Sequence, residues 1–161
     1  MSAVDAIVDD IANACLAREM TVGVIESLTS GAVASALGRG HEAAEWFRGG
    51  VVAYETETKQ WVLGLVPGTD PCSPSCAAQL AANGRALLRA DVCASVTGIG
   101  GPEPVDDHPA GEVHVGVSTA QGWTTRVHYF DGPPEDVVEQ SVLATLSRLY
   151  DTLTPTPGPG A

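Results

Sequence analysis

A chain of 161 residues with 44% hydrophobic and 17% charged residues fits one globular domain, able to bury about two-thirds of its unfolded surface. Twenty acidic against eight basic residues give a formal net charge of −12 without any Lys/Arg stripe, which argues against nucleic acid as a partner. No apolar run approaches the ~20 residues of a membrane span, and Met1-Ser-Ala-Val-Asp-Ala6 lacks a signal peptide's basic and apolar regions, so a cytoplasmic setting without membrane contact is expected.

In chain order, Val4, Ile7, Val8, Ile11, Ala12 and Cys15 mark one face of a helix over about 4–19. A strand over about 21–26 runs into Ser27-Leu-Thr-Ser-Gly31, and an Ala-rich helix follows over about 29–38. Trp46 and Phe47 are expected to plug the core from a short connection. Gly50–Tyr54 reads as a second strand, and a helix beginning just after Tyr54 carries Lys59 near its first turn. Ser73-Pro74 fits an N-cap with proline at the first helical position, opening a helix to about Arg89. A third strand over 91–97 leads into a long Gly/Pro loop, 98–111. Two alternating strands, 113–120 and 123–130, flank Gln121-Gly122, a two-residue turn that sets His114 opposite Tyr129. His114 and His128 then lie on opposite sheet faces and cannot share a metal. Pro133-Pro134 opens a last helix to about Tyr150. The pattern predicts a three-layer α/β/α sandwich over 1–151, with a mixed, mostly parallel sheet ending in an antiparallel hairpin. Residues 152–161 read as a disordered Pro/Gly tail.

Chemistry concentrates at the expected carboxyl ends of the strands, where α/β sheets place ligands. Ser27 stands at a strand-to-helix turn, where it can act as a nucleophile beside free backbone N–H groups, or merely cap the helix with Thr29 and Ser30. Lys59 is the chain's one lysine beside seven arginines. A desolvated lysine can serve as a general base, which arginine cannot. Tyr54 can relay or donate a proton through its phenol. Together Ser27, Tyr54 and Lys59 make a Ser-Lys type of acyl-transfer site, with the N–H groups of Leu28 to Ser30 facing the oxyanion. Thr97 and the Gly98-Ile-Gly-Gly-Pro102 loop can form a nest for a phosphate or ribose, or a structural turn, but lack the last glycine of a dinucleotide fingerprint. No metal is expected: Cys72 and Cys76 have no histidine or further cysteine near them in sequence, and Asp106-Asp107-His108 could bind a cation but reads rather as a solvated loop tip. The four cysteines are expected as reduced thiols.

Three segments, Glu26-Ser-Leu-Thr-Ser-Gly31, Phe47-Arg-Gly-Gly-Val-Val-Ala-Tyr-Glu-Thr-Glu-Thr-Lys59 and Thr97-Gly-Ile-Gly-Gly-Pro102, together resemble the CinA C-terminal-domain family, the nicotinamide mononucleotide deamidases. The resemblance covers about residues 4–150. It implies a cytoplasmic, cofactor-free and metal-free amidohydrolase of pyridine nucleotide salvage that converts nicotinamide mononucleotide to nicotinate mononucleotide and ammonia. Ser27 then matches the nucleophile, Lys59 the base and Tyr54 its hydroxyl partner, while Leu28, Thr29, Ser30, Gly31, Thr97, Gly98, Gly100 and Gly101 surround the substrate. It also implies a homo-oligomer, a dimer being the expectation. Where the family carries Gly-Asp-Arg and a further arginine before the last helix, this chain has Gly132-Pro-Pro134 and Glu139. Two alternatives therefore stay open: an amidase for another small amide, and a non-catalytic nucleotide- or partner-binding module.

Overall fold

Ser2 and Asp5 form a reciprocal capping box, Ser2 Oγ accepting from Asp5 N and the Asp5 carboxylate accepting from Ser2 N, and so start helix α1 (Ala3–Arg18). The computed structural model describes residues 1–160. Strand β1 (Val22–Glu26) is buried along its whole length, as its run of apolar residues requires of a central strand covered on both faces. Helix α2 (Ala32–Gly38) and the short α3 (Ala43–Trp46) lead into β2 (Phe47–Val52), three residues earlier than expected, because Trp46 ends the helix and already points into the core. Helix α4 (Thr56–Leu63) follows, then α5 (Pro74–Leu88), whose N-cap Ser73 accepts from Cys76 N as expected. Strands β3 (Val92–Gly98), β4 (Glu112–Thr119) and β5 (Gly122–Tyr129) and helix α6 (Pro134–Leu153) complete the chain.

The five strands form one sheet in the order β2-β1-β3-β4-β5; β2, β1 and β3 run parallel, and β4 and β5 join antiparallel. Helices α1, α2, α3 and α6 cover one face around Ile11, Val24, Leu37, Trp46 and Leu146, whereas α4 and α5 cover the other around Ile25, Leu65, Cys76 and Leu80. This is the expected α/β/α sandwich. Helix α5 lies very close to β1: a Cβ at Gly84 would sit 2.3 Å from Ile25 Cγ1. All four cysteines are buried free thiols. Among the described residues, no helix is long and apolar enough to cross a membrane.

Two expectations on boundaries change. The hairpin turn is Ala120-Gln121, because Gly122, with φ of +129°, already pairs with Thr119 as the first residue of β5. Gln121 N donates to Thr119 Oγ1 and closes that turn. His114 therefore faces Val127 rather than Tyr129. A slip of two leaves the alternation intact, so His114 and His128 still lie on opposite faces. The last helix runs on to Leu153, which is fully buried, so the exposed tail starts beyond it; Ala161 lies outside the described residues.

Candidate active site

Parallel strands β1 and β2 bring their carboxyl ends side by side, and β3 delivers the Gly98–Gly101 loop beside them. A cavity of about 340 Å³ opens there, lined by Ser27, Leu28, Tyr54, Lys59 and the Thr97–Gly101 segment, with Cys72, Glu103 and Val105 closing its wall. The three residues expected to do chemistry are thus neighbours around one cavity.

Glu26 organises the serine turn. It is 1% exposed; one carboxylate oxygen accepts from Thr29 Oγ1 (2.6 Å) and Val33 N (2.9 Å), and the other from Ala34 N (2.9 Å). The carboxylate thus occupies the start of α2, so the helix end offers no free N–H groups there, contrary to expectation. Ser27 N donates to Val96 O, which continues the strand, and Ser30 N donates to Ser27 O, which closes the turn. Among the described residues this leaves the N–H groups of Leu28 and Thr29, without Ser30, unpaired with protein beside Ser27.

Of the residues expected around a substrate, Leu28, Thr97, Gly98, Gly100 and Gly101 line the cavity, but Thr29, Ser30 and Gly31 do not. Thr29 is turned inward to Glu26, while Ser30, at φ +51°, and Gly31, at φ +101°, swing the chain away into α2. Thr97 Oγ1 donates to Pro71 O (2.7 Å), so its hydroxyl braces the cavity wall. Gly98 is required by packing, since a Cβ there would lie 2.2 Å from Glu112 O on β4. Gly100 has open space around its missing side chain, on the cavity side of the loop.

Lys59 is 2% exposed, and its Nζ donates to Tyr54 O at 2.9 Å. Among the described residues no carboxylate pairs with it, and burial lowers its pKa from the ordinary value of 10.5. Tyr54 therefore meets Lys59 through its backbone carbonyl, while the residue is 66% exposed at the rim. The cavity holds a second potential nucleophile, Cys72, but burial and the adjacent Glu112 carboxylate push its thiol far up, which keeps it protonated.

Behind that wall lies a cluster missed in the sequence. Cys72 Sγ donates to Glu112 Oε2 at 3.2 Å, and His114 Nε2 and His108 Nδ1 approach the same oxygen at 2.8 and 2.9 Å. The expectation that Cys72 has no histidine near it does not hold, because β4 brings Glu112 and His114 up from 40 residues and more away. His108, expected as a solvated loop tip, instead bridges Asp70 (2.6 Å) and Glu112. The alternation Glu112-Val-His114, which puts both polar groups on one buried strand face, was the available signal.

An open α/β/α sheet with a serine and a buried lysine at the carboxyl ends of its parallel strands places these residues where proteins of this α/β class hold their ligands. The family described as the CinA C-terminal domain matches residues 4–153, and the chain belongs to that family. A CinA-like protein of Frankia casuarinae is 33% identical over 144 residues, 87% of this chain and 33% of that relative. A putative competence-damage inducible protein of Listeria monocytogenes is 34% identical over 119 residues, 71% of this chain and 28% of that relative. This chain thus spans only about a third of the length of those curated relatives. Among solved structures, the competence or damage-inducible protein of Enterobacter asburiae superposes with a TM-score of 0.91 at 28% identity, over 96% of this chain and 100% of that one. A CinA superfamily protein of Klebsiella pneumoniae gives 0.90 at 28% identity, over 93% and 97%.

Proposed function

We propose that this chain is an amidohydrolase that converts nicotinamide mononucleotide to nicotinate mononucleotide and ammonia through Ser27 and Lys59. Neutral Lys59 takes the Ser27 Oγ proton as the oxygen attacks the carboxamide carbon, and the Leu28 and Thr29 N–H groups receive the oxyanion. The C–N bond breaks, the departing nitrogen takes that proton from Lys59, and ammonia leaves an acyl-serine. Water, deprotonated by Lys59, attacks the ester; the acid departs and Ser27 regains its proton. Tyr54, at the rim, can donate to the substrate through its hydroxyl.

The observation that carries this reading is Lys59: the only lysine, buried and among the described residues without a carboxylate partner, on the same cavity as Ser27. The nucleotide substrate itself rests on the family resemblance. A second reading, an amidase for a less anionic amide, draws support from the cavity lining, which contains Glu103 and no arginine.

Incubating the purified chain with nicotinamide mononucleotide, and separately with its dephosphorylated nucleoside, tests both by ammonia release. Turnover of the nucleotide that falls on the order of 10³-fold or more in Ser27→Ala and Lys59→Ala supports the first reading. Preference for the nucleoside supports the second. No ammonia from either, with the nucleotide bound, turns the chain into a binding module.

A further inference from the structure

Cys72, Glu112 and His114 are all buried, and a thiol, a carboxylate oxygen and a ring nitrogen from them lie within 4.8 Å of one another. The geometry points to a divalent metal site of the zinc type at these three side chains, behind the wall of the candidate active site. Sulfur, nitrogen and oxygen donors together select zinc or cobalt over magnesium or calcium. Zinc bonds of about 2.0 Å to nitrogen or oxygen and about 2.3 Å to sulfur put tetrahedral donor pairs roughly 3.3–3.6 Å apart. Here the Glu112 oxygen lies 2.8 Å from His114 Nε2 and 3.2 Å from Cys72 Sγ, so these two pairs need spread by well under an ångström, while Cys72 and His114 come within 4.8 Å of each other.

Charge balance favours the same conclusion. Thiolate, carboxylate and neutral imidazole sum to −2, which a divalent ion cancels, leaving a neutral buried centre; the thiol proton is released to solvent on binding. His114 is 5% exposed, and its second ring nitrogen, Nδ1, has no hydrogen-bond partner. If Nε2 carries the proton, the Nδ1 lone pair is buried unpaired; if Nδ1 carries it, an unpaired lone pair faces the Glu112 oxygen. A cation between Nε2 and that oxygen turns the lone-pair contact of the second arrangement from repulsive to binding, although Nδ1–H stays without a partner among the described residues. His108, hydrogen-bonded to Asp70 and reaching the same carboxylate, supplies outer support of the kind ligating carboxylates use.

The donors come from two separate segments, Cys72 from the loop before α5 and the other two from β4, so the ion ties that loop to the sheet. Its role is structural: it fixes the Cys72 wall of the cavity, and no step of the amide chemistry passes through it.

The reduced 161-residue chain, stripped with a chelator and dialysed, is titrated with Co²⁺ and followed by absorption, and then with Zn²⁺ against a chromogenic chelator. One equivalent of Co²⁺ is expected to give a thiolate-to-metal charge-transfer band, which Zn²⁺ abolishes by displacement. Cys72→Ser removes the charge-transfer band, His114→Gln abolishes stoichiometric binding, and His108→Asn weakens binding by ~10–100-fold; Cys93→Ser retains all signals. Circular dichroism checks that each variant is folded, and a variant that is not is replaced by Glu112→Gln. The proposal is overturned if the wild type shows no thiolate band with stoichiometric Co²⁺, or if the band survives in Cys72→Ser. Neither readout involves amide turnover, so this site and the proposed reaction fail or stand separately.

Discussion

Lys59 occupies a place that arginine could not fill. Its ammonium has one hydrogen bond, to Tyr54 O, and among the described residues no carboxylate within ion-pair distance, and a guanidinium there would bury five donors that cannot shed a proton. Burial favours the neutral amine, which is the form a base needs, and this carries a pH prediction. Below its lowered pKa the amine is protonated and inactive, so kcat/KM for amide hydrolysis should rise about tenfold per pH unit and level off before the ordinary lysine value of 10.5. Lys59→Arg should abolish the rising limb together with turnover. A wild-type profile that stays flat from pH 6 to 10 would remove Lys59 as the base. The sequence showed this residue clearly, because one lysine among seven arginines stands out whatever the fold. It did not show that Tyr54 meets it through a carbonyl, since only the turn from β2 into α4 sets which atom of residue 54 points back.

At the scale of the element, the serine turn was legible as a strand running into a helix, but its organiser was not. Sequence reading searches for a cap at the helix's own first residue, and Ser27, Thr29 and Ser30 offered three. The actual cap is Glu26, whose carboxylate reaches forward seven and eight residues to Val33 N and Ala34 N. That reach requires the turn to fold back over the strand end, a tertiary feature with no local spacing to betray it. The hairpin shows the same limit: alternation identified the correct faces, but turn chemistry alone put the register two residues off. The Cys72, Glu112 and His114 cluster is the extreme case, assembled from segments that share no motif. Glu26 is thereby a positioning residue with its own signature. Glu26→Gln replaces one acceptor oxygen by a donor facing an N–H or hydroxyl, so urea unfolding should show a loss of ~1–3 kcal/mol. kcat should fall with KM nearly unchanged, because Ser27 and the Leu28 and Thr29 amides move relative to one another while the cavity remains. Full activity in a measurably destabilised variant would leave Glu26 a purely structural cap.

For the whole molecule, the layer order was readable because each helix keeps one apolar face and β1 and β3 are apolar throughout, but stability also reflects what the layers bury. Lys59 and the thiols pull stability in opposite directions with pH. The folded pKa of Lys59 lies below its unfolded value of 10.5, so between the two the unfolded chain binds the extra proton and stability rises with pH. Burial pushes the Cys15 and Cys93 thiols from 9.0 up to about 12, so above pH 9 the unfolded chain loses protons the folded one keeps, and stability falls. Each thiol weakens the fold by up to ~1.4 kcal/mol per pH unit in that window. Lys59→Met separates the two contributions, because methionine fills much of the lysine stem's volume and carries no charge. Urea unfolding at pH 7, 9 and 10.5 should find the variant more stable than the wild type at pH 7 and the difference shrinking towards zero by pH 10.5. The thiol contribution, common to both proteins, should appear as a parallel loss above pH 9. A difference that does not change with pH would mean that Lys59 keeps its ordinary pKa in the folded chain, and the base assignment would lose its physical ground.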